Sequence, residues 1–114
     1  MSNDRNKDLI RSLFENCYSG DYERFDSLVS NDYVDHAKWK DKSGLMQTIK
    51  VMLATYPDLT FKIEDMVGEG DKIAARVTAS ATAMGEKGTA SALVLFRIEN
   101  GKIAEHWGHA DRFF

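Results

Sequence analysis

The feature that most restricts this chain is a change of apolar period close to Pro57. From about residue 4 to 56 apolar side chains return every three or four positions; from Leu59 onward they return every second position. Helices therefore precede strands. A first helix is expected from about Asp4 to Tyr18, with Leu9, Ile10, Leu13, Phe14 and Cys17 on its stripe and Gly20 just past its end. A second starts near Asp21 and carries Tyr22, Phe25, Leu28 and Val29. The passage "SNDYVDHAKW" breaks the pattern and reads as irregular or extended. Ser43 is a fitting cap for a third helix, with Leu45, Met46, Ile49, Met52 and Leu53 facing the core, and Pro57 ends it.

Four strands follow, separated by turn signals. Leu59, Phe61 and Ile63 alternate before "GEGD"; Ile73 to Ala83 form an apolar row before "GEKG"; Ala90 to Ile98 alternate before "ENGK". Turns this short mean an antiparallel meander. Helices on one face of such a sheet make an α+β domain. Strands of about ten residues exceed the usual ~5–6 and tend to curl. A curled sheet closed by helices is a cone-shaped barrel with a hollow end.

At 114 residues, 43% hydrophobic and 29% charged, the chain is expected to form a single domain over 1–114. Fifteen basic against eighteen acidic side chains leave a formal charge of −3, with no basic stripe. That removes the electrostatic footing for nucleic acid and disfavours anionic membrane surfaces. "MSNDRNKD" lacks the apolar segment of a secretory signal. No apolar run approaches the ~18–20 residues of a membrane span. The single cysteine, Cys17, permits no intrachain disulfide and no cysteine-based zinc cluster, and on a helix stripe it reads as core filler. A cytoplasmic protein is expected.

Chemistry concentrates at the end of the chain, "NGKIAEHWGHADRFF". Strict alternation puts Ile103, Glu105, Trp107, His109 and Asp111 on one face, and Ala104, His106, Gly108 and Ala110 on the other. A single bulge swaps the faces beyond it. With the bulky row inside, Asp111 is a candidate general acid or base, because an apolar wall raises a carboxyl pKa. From residue type alone, near the chain end, a surface salt bridge is the favoured reading. His109 and His106 are either pocket groups or hydrogen-bonded sheet histidines. Trp107, Glu105 and Phe96 are candidate ligand contacts. So are Tyr33 and Trp39 from "YVDHAKW", where Asp35 and His36, being neighbours, point in opposite directions; at most one enters a cavity. His36 suits either a ligand oxygen or a loop-steadying bond. No histidine spacing suggests a metal site, and "GEGD" and "GEKG" lack the strand–helix context of phosphate loops.

The order of elements, with "YVDHA", "YPDLTFKIEDMVGEGDKIAARVTASA" and "FRIENGKIAEHW…D", resembles the nuclear transport factor 2-like (cystatin-like) superfamily, and its SnoaL-like polyketide cyclase branch in particular. The resemblance covers nearly the whole chain. It implies a cone-shaped α+β barrel and a small hydrophobic carbonyl ligand handled without metal or cofactor. It also implies a homodimer through the outer sheet face. By position it implies Asp111 as acid/base, Trp107 as pocket aromatic and His36 in the family's "DH" place; in an enzyme of this kind His109 or His36 is the expected donor to a developing oxyanion. A non-catalytic binding or dimerisation protein is the alternative. Where many members carry "GTH" on the second strand this chain has "ATA" at Ala81 to Ala83, which implies a shallower or more apolar site.

Overall fold

A computed structural model describes residues 3–110. Helix α1 covers Asp4–Glu15, followed by a 3-10 turn at Cys17–Ser19 and helix α2 at Tyr22–Leu28. Strand β1 is Val29–Asp35 and helix α3 is Lys42–Thr55. The remaining strands are β2, Thr60–Glu69; β3, Lys72–Ala83; β4, Glu86–Glu99; and β5, Lys102–Ala110. The helices pack on one face of a five-stranded sheet of order β1-β5-β4-β3-β2. The sheet curls without closing. No helix among the described residues is long and apolar enough to cross a membrane.

Local chemistry accounts for most boundaries. The α1 stripe ends early: the helix stops at Glu15 rather than Tyr18, and the 3-10 turn carries Cys17 into the core before Gly20 takes a φ of 109°. Burial pushes the Cys17 thiol up to about 11, with the Asp21 charge adding to the rise, so the thiol packs as an apolar group. Helix α3 is capped by Asp41 rather than Ser43, Asp41 Oδ1 accepting the Gly44 N–H at 2.8 Å. The β4–β5 turn is the expected one, with Asn100 and Gly101 at φ 53° and 74°, the type I′ hairpin geometry. The β3–β4 turn is not "GEKG". It is Met84–Gly85, at φ 53° and 81°, and Glu86 to Gly88 already belong to β4.

Two further corrections decide where the site sits. "SNDYVDHAKW" contributes a fifth strand, β1, running parallel to β5 with Asp35 opposite His106. Its partner lies some seventy residues on, a separation that parallel pairing tolerates. The face assignment of β5 also changes. Arg97 pairs with Glu105 but Ile98 pairs with Ile103, so Ala104 is an extra residue, a β-bulge. Ile103 and Ala104 are both buried, and beyond them the inward row is His106, Gly108 and Ala110, opposite Phe96, Val94 and Ala92. Glu105, Trp107 and His109 pair with Arg97, Leu95 and Leu93 on the outer face. A second bulge on β2 between Ile63 and Asp65 adds to the curl. The core runs through Ile10, Val29, Ile49, Ile73, Val77 and Ile103, all fully buried.

Candidate functional site

Between the concave sheet face and the helices lies a cavity of about 640 Å³. That is within the roughly 300–1,000 Å³ typical of small-molecule sites. Its walls are mostly apolar and aromatic, with Phe14, Tyr18, Phe61 and Phe96 among them. Phe14 and Tyr18 stack with centroids 5.5 Å apart, and Phe61 meets Tyr18 edge-on at 4.6 Å. Polar groups enter from β1 and β5.

Strand β1 turns Tyr33 and Asp35 inward on alternate positions. Asp35, 5% exposed, is the one buried charged side chain among the described residues. A buried carboxylate persists only when its lone pairs are met. Asp35 Oδ1 accepts the N–H groups of Ala37 at 2.8 Å and Lys38 at 3.1 Å. The same oxygen lies 3.4 Å from His106 Nδ1. The loop that supplies these donors closes on itself, Asp35 and Lys40 exchanging backbone hydrogen bonds of 2.7 and 3.2 Å. Burial alone raises the Asp35 pKa. The His106 bond and charge, with the Lys38 and Ala37 N–H groups, outweigh it, and the net shift is downward from 3.8.

An ionised Asp35 only accepts, so the His106 nitrogen that faces it, Nδ1, carries a proton, and in the neutral ring Nε2 is then the acceptor. The imidazole stacks on Phe96, centroids 5.0 Å apart and planes 18° from parallel. Nε2 is buried with no hydrogen-bond partner among the described residues. Gly108 makes this possible: a Cβ there meets His106 Nε2 at 3.0 Å and the Leu93 carbonyl at 3.1 Å. The Tyr33 hydroxyl is buried without a partner in the same way. Burial, then the Asp35 and Tyr18 charges, push its pKa upward, so it stays a donor.

A second polar group forms on the other side of the same strand pair. His36 Nε2 is 2.6 Å from Glu105 Oε2, Arg97 Nε donates to Glu105 Oε1, and the His36 ring stacks on Trp107 at 4.9 Å and 8°. Arg97, then His36, hold the Glu105 carboxyl below its usual range. The His36 backbone N–H donates to the His106 carbonyl at 2.8 Å, which pins the end of β1 to β5.

The expected residues therefore divide. Tyr33 and Phe96 line the cavity wall, and His36, Trp107 and an exposed His109 contribute to its open end. Glu105 is held in the outer ion pair. Trp39, at φ 55° and 78% exposed, packs edge-on against His36 and does not line the cavity. Asp111 lies outside the described residues. Sequence reasoning weighed Asp35 and His106 but chose neither as a site residue. The signal for Asp35 was its place two residues after Tyr33 on a half-buried strand. Nothing local marked His106, because the bulge moved it. Among the described residues no three His, Cys, Asp or Glu side chains are grouped to hold a metal ion. A carboxylate-backed imidazole beside an apolar hollow is equipped for proton transfer.

Solved structures share this architecture. A loop-truncation variant of IdmH from Streptomyces antibioticus is 30% identical, with 92% of this chain and 91% of that chain covered and a TM-score of 0.86. TsrD from Streptomyces laurentii is 24% identical over 97% of this chain and 91% of its own, with a TM-score of 0.83. A SnoaL-like polyketide cyclase from Agrobacterium tumefaciens is 22% identical over 98% and 94%, with a TM-score of 0.74. Below 25% identity the likeness is one of fold alone. No curated protein sequence matches. The family model for SnoaL-like polyketide cyclases matches residues 8–113, nearly the whole chain, and on that match the chain belongs to the SnoaL-like polyketide cyclase family.

Proposed function

We propose that the protein is an enzyme acting on a small, largely hydrophobic carbonyl compound, with His106 as the general base and Asp35 as the group that orients and charges it. The carrying observation is His106 Nε2: buried, without a partner, and backed by a carboxylate through Nδ1. Such a pair removes a proton next to a carbonyl and returns it elsewhere, which covers aldol cyclisation and isomerisation and needs no metal or cofactor. Asp111, which the family resemblance favours, is the competing base; His36 and His109 are rim groups in this reading. The outer sheet face, where Leu93 is 64% exposed beside Leu95 and Trp107, is proposed as a homodimer surface.

The test is deuterium exchange at the α-carbon of a panel of enolisable ring ketones in heavy water, followed by NMR. The wild type is expected to speed exchange for part of the panel, and His106→Gln and Asp35→Asn each to lose about a hundredfold or more. Loss in Asp111→Asn with His106→Gln unaffected transfers the base to Asp111. Tight binding with no exchange of any bound ketone leaves a binding protein.

A further inference from the structure

We infer that the Tyr33 hydroxyl is the hydrogen-bond donor to the substrate's carbonyl oxygen, where it meets the negative charge that develops as His106 takes the proton. The inference rests on His106 acting as the base, and it adds the electrophilic half of the site.

Two buried polar atoms in the cavity-lining residues have no partner among the described residues, and they are of opposite kinds. His106 Nε2 presents a lone pair; Tyr33 presents an O–H. A buried polar group left unmet carries a desolvation cost that a protein core rarely tolerates without a use. One acceptor and one donor, on two residues that line one cavity, match the two ends of an enolising ketone. The α-proton goes to Nε2, the C–H pair moves into the carbon–carbon bond, and the carbonyl pair moves to oxygen. That oxygen accepts from Tyr33 without taking its proton. Return of the proton from Nε2 to carbon completes the cycle, with no oxidant or co-reactant. Tyr33 is 2% exposed and is held protonated by its burial, so it donates across the whole neutral range. The aromatic walls at Phe14, Tyr18, Phe61 and Phe96 favour a planar ring system over a flexible chain.

The probe is an ionised cyano-substituted 2-naphthol, an enolate mimic, with cyanonaphthalene as the control lacking the oxyanion. Both are titrated by fluorescence at mildly alkaline pH. The wild type is expected to prefer the naphtholate. Tyr33→Phe is expected to lose about tenfold or more of naphtholate affinity, to keep cyanonaphthalene affinity, and to melt no lower than the wild type, because it deletes an unmet donor. Equal naphtholate affinity in Tyr33→Phe overturns the inference. So does parallel loss of both ligands, which marks a packing role, or wild-type protein that binds neither. The His106→Gln variant separates this from the base assignment. Unaltered ketone exchange in His106→Gln, alongside weakened naphtholate binding in Tyr33→Phe, removes His106 as base and leaves Tyr33 as donor. The reverse pattern removes Tyr33 alone.

Discussion

Replacing Asp35 by asparagine tests whether the buried carboxylate is held as an anion by its partners or merely endured. Its Oδ1 faces two backbone N–H groups, at 2.8 and 3.1 Å, and His106 Nδ1 at 3.4 Å. Hydrogen bonds to an ionised acceptor contribute about 1.5–3 kcal/mol, against about 0.5–1.5 for neutral pairs. Asparagine with its oxygen in the place of Oδ1 still faces all three donors, but as a neutral acceptor. Three contacts then weaken by about 1 kcal/mol each, while relief of charge burial offsets part. The expected loss is about 2–3 kcal/mol at neutral pH. The sign with pH follows from the downward shift. A carboxyl whose pKa is lower folded than unfolded stabilises above 3.8, and that contribution disappears as pH falls through the folded value. The gap between wild type and Asp35→Asn should thus be full above about pH 5 and narrow as pH falls below 3.8 and on through the lowered folded value. Urea unfolding followed by circular dichroism across that range measures it. A variant as stable as the wild type at neutral pH, or a gap that stays constant into acid, refutes the reasoning, since burial would then outweigh the partners.

Gly108→Ala should cost about 1–3 kcal/mol and slow ketone exchange: the Leu93 carbonyl is fixed in the β4–β5 ladder, so the His106 ring must yield to the new methyl. Normal stability with full exchange activity would show that the ring has slack there. Leu93→Lys should convert a dimer to a folded monomer in sedimentation velocity, because it sets like charges on two copies of one exposed patch. A wild-type protein that sediments as a monomer at tens of micromolar ends the dimer proposal.

How far the chain could be read from its residues follows from how local each determinant is. Helix stripes and alternating strands are local, and both halves of the fold were legible in them. The β4–β5 turn was legible because Asn and Gly are the residues that tolerate positive φ at both corners, and Asn100 and Gly101 adopt it. The β3–β4 turn was not, because Met84 takes a left-handed φ of 53° that methionine gives no reason to expect. There the inward row from Ile73 to Ala79 against Phe96 to Ala90 sets the register, and the turn residue conforms to it. Strand β1 hid for another reason. It is a sheet edge whose exposed Asn31 and Asp32 look like loop, and its hydrogen-bond partner is remote in sequence.

The site turned on a single inserted residue. Period-two alternation is blind to a bulge, and its only local trace is the buried pair Ile103–Ala104, two apolar neighbours where one was due. Without Ala104 in the count, Glu105, Trp107 and His109 go inside and His106 outside; with it, each assignment reverses. Asp35 and His36, as neighbours on β1, must also face opposite ways. The parallel register then sets Asp35 beside His106 within the hollow and His36 near Glu105 at its open rim. The same strand ends therefore yield two carboxylate–imidazole pairs of different character. The outer one is saturated by Arg97 and stacked on Trp107, which suits a clamp on the end of β1. The inner one leaves a nitrogen unmet among aromatic walls, which suits chemistry. The polar density near the chain end is accounted for once the bulge divides it between the two faces.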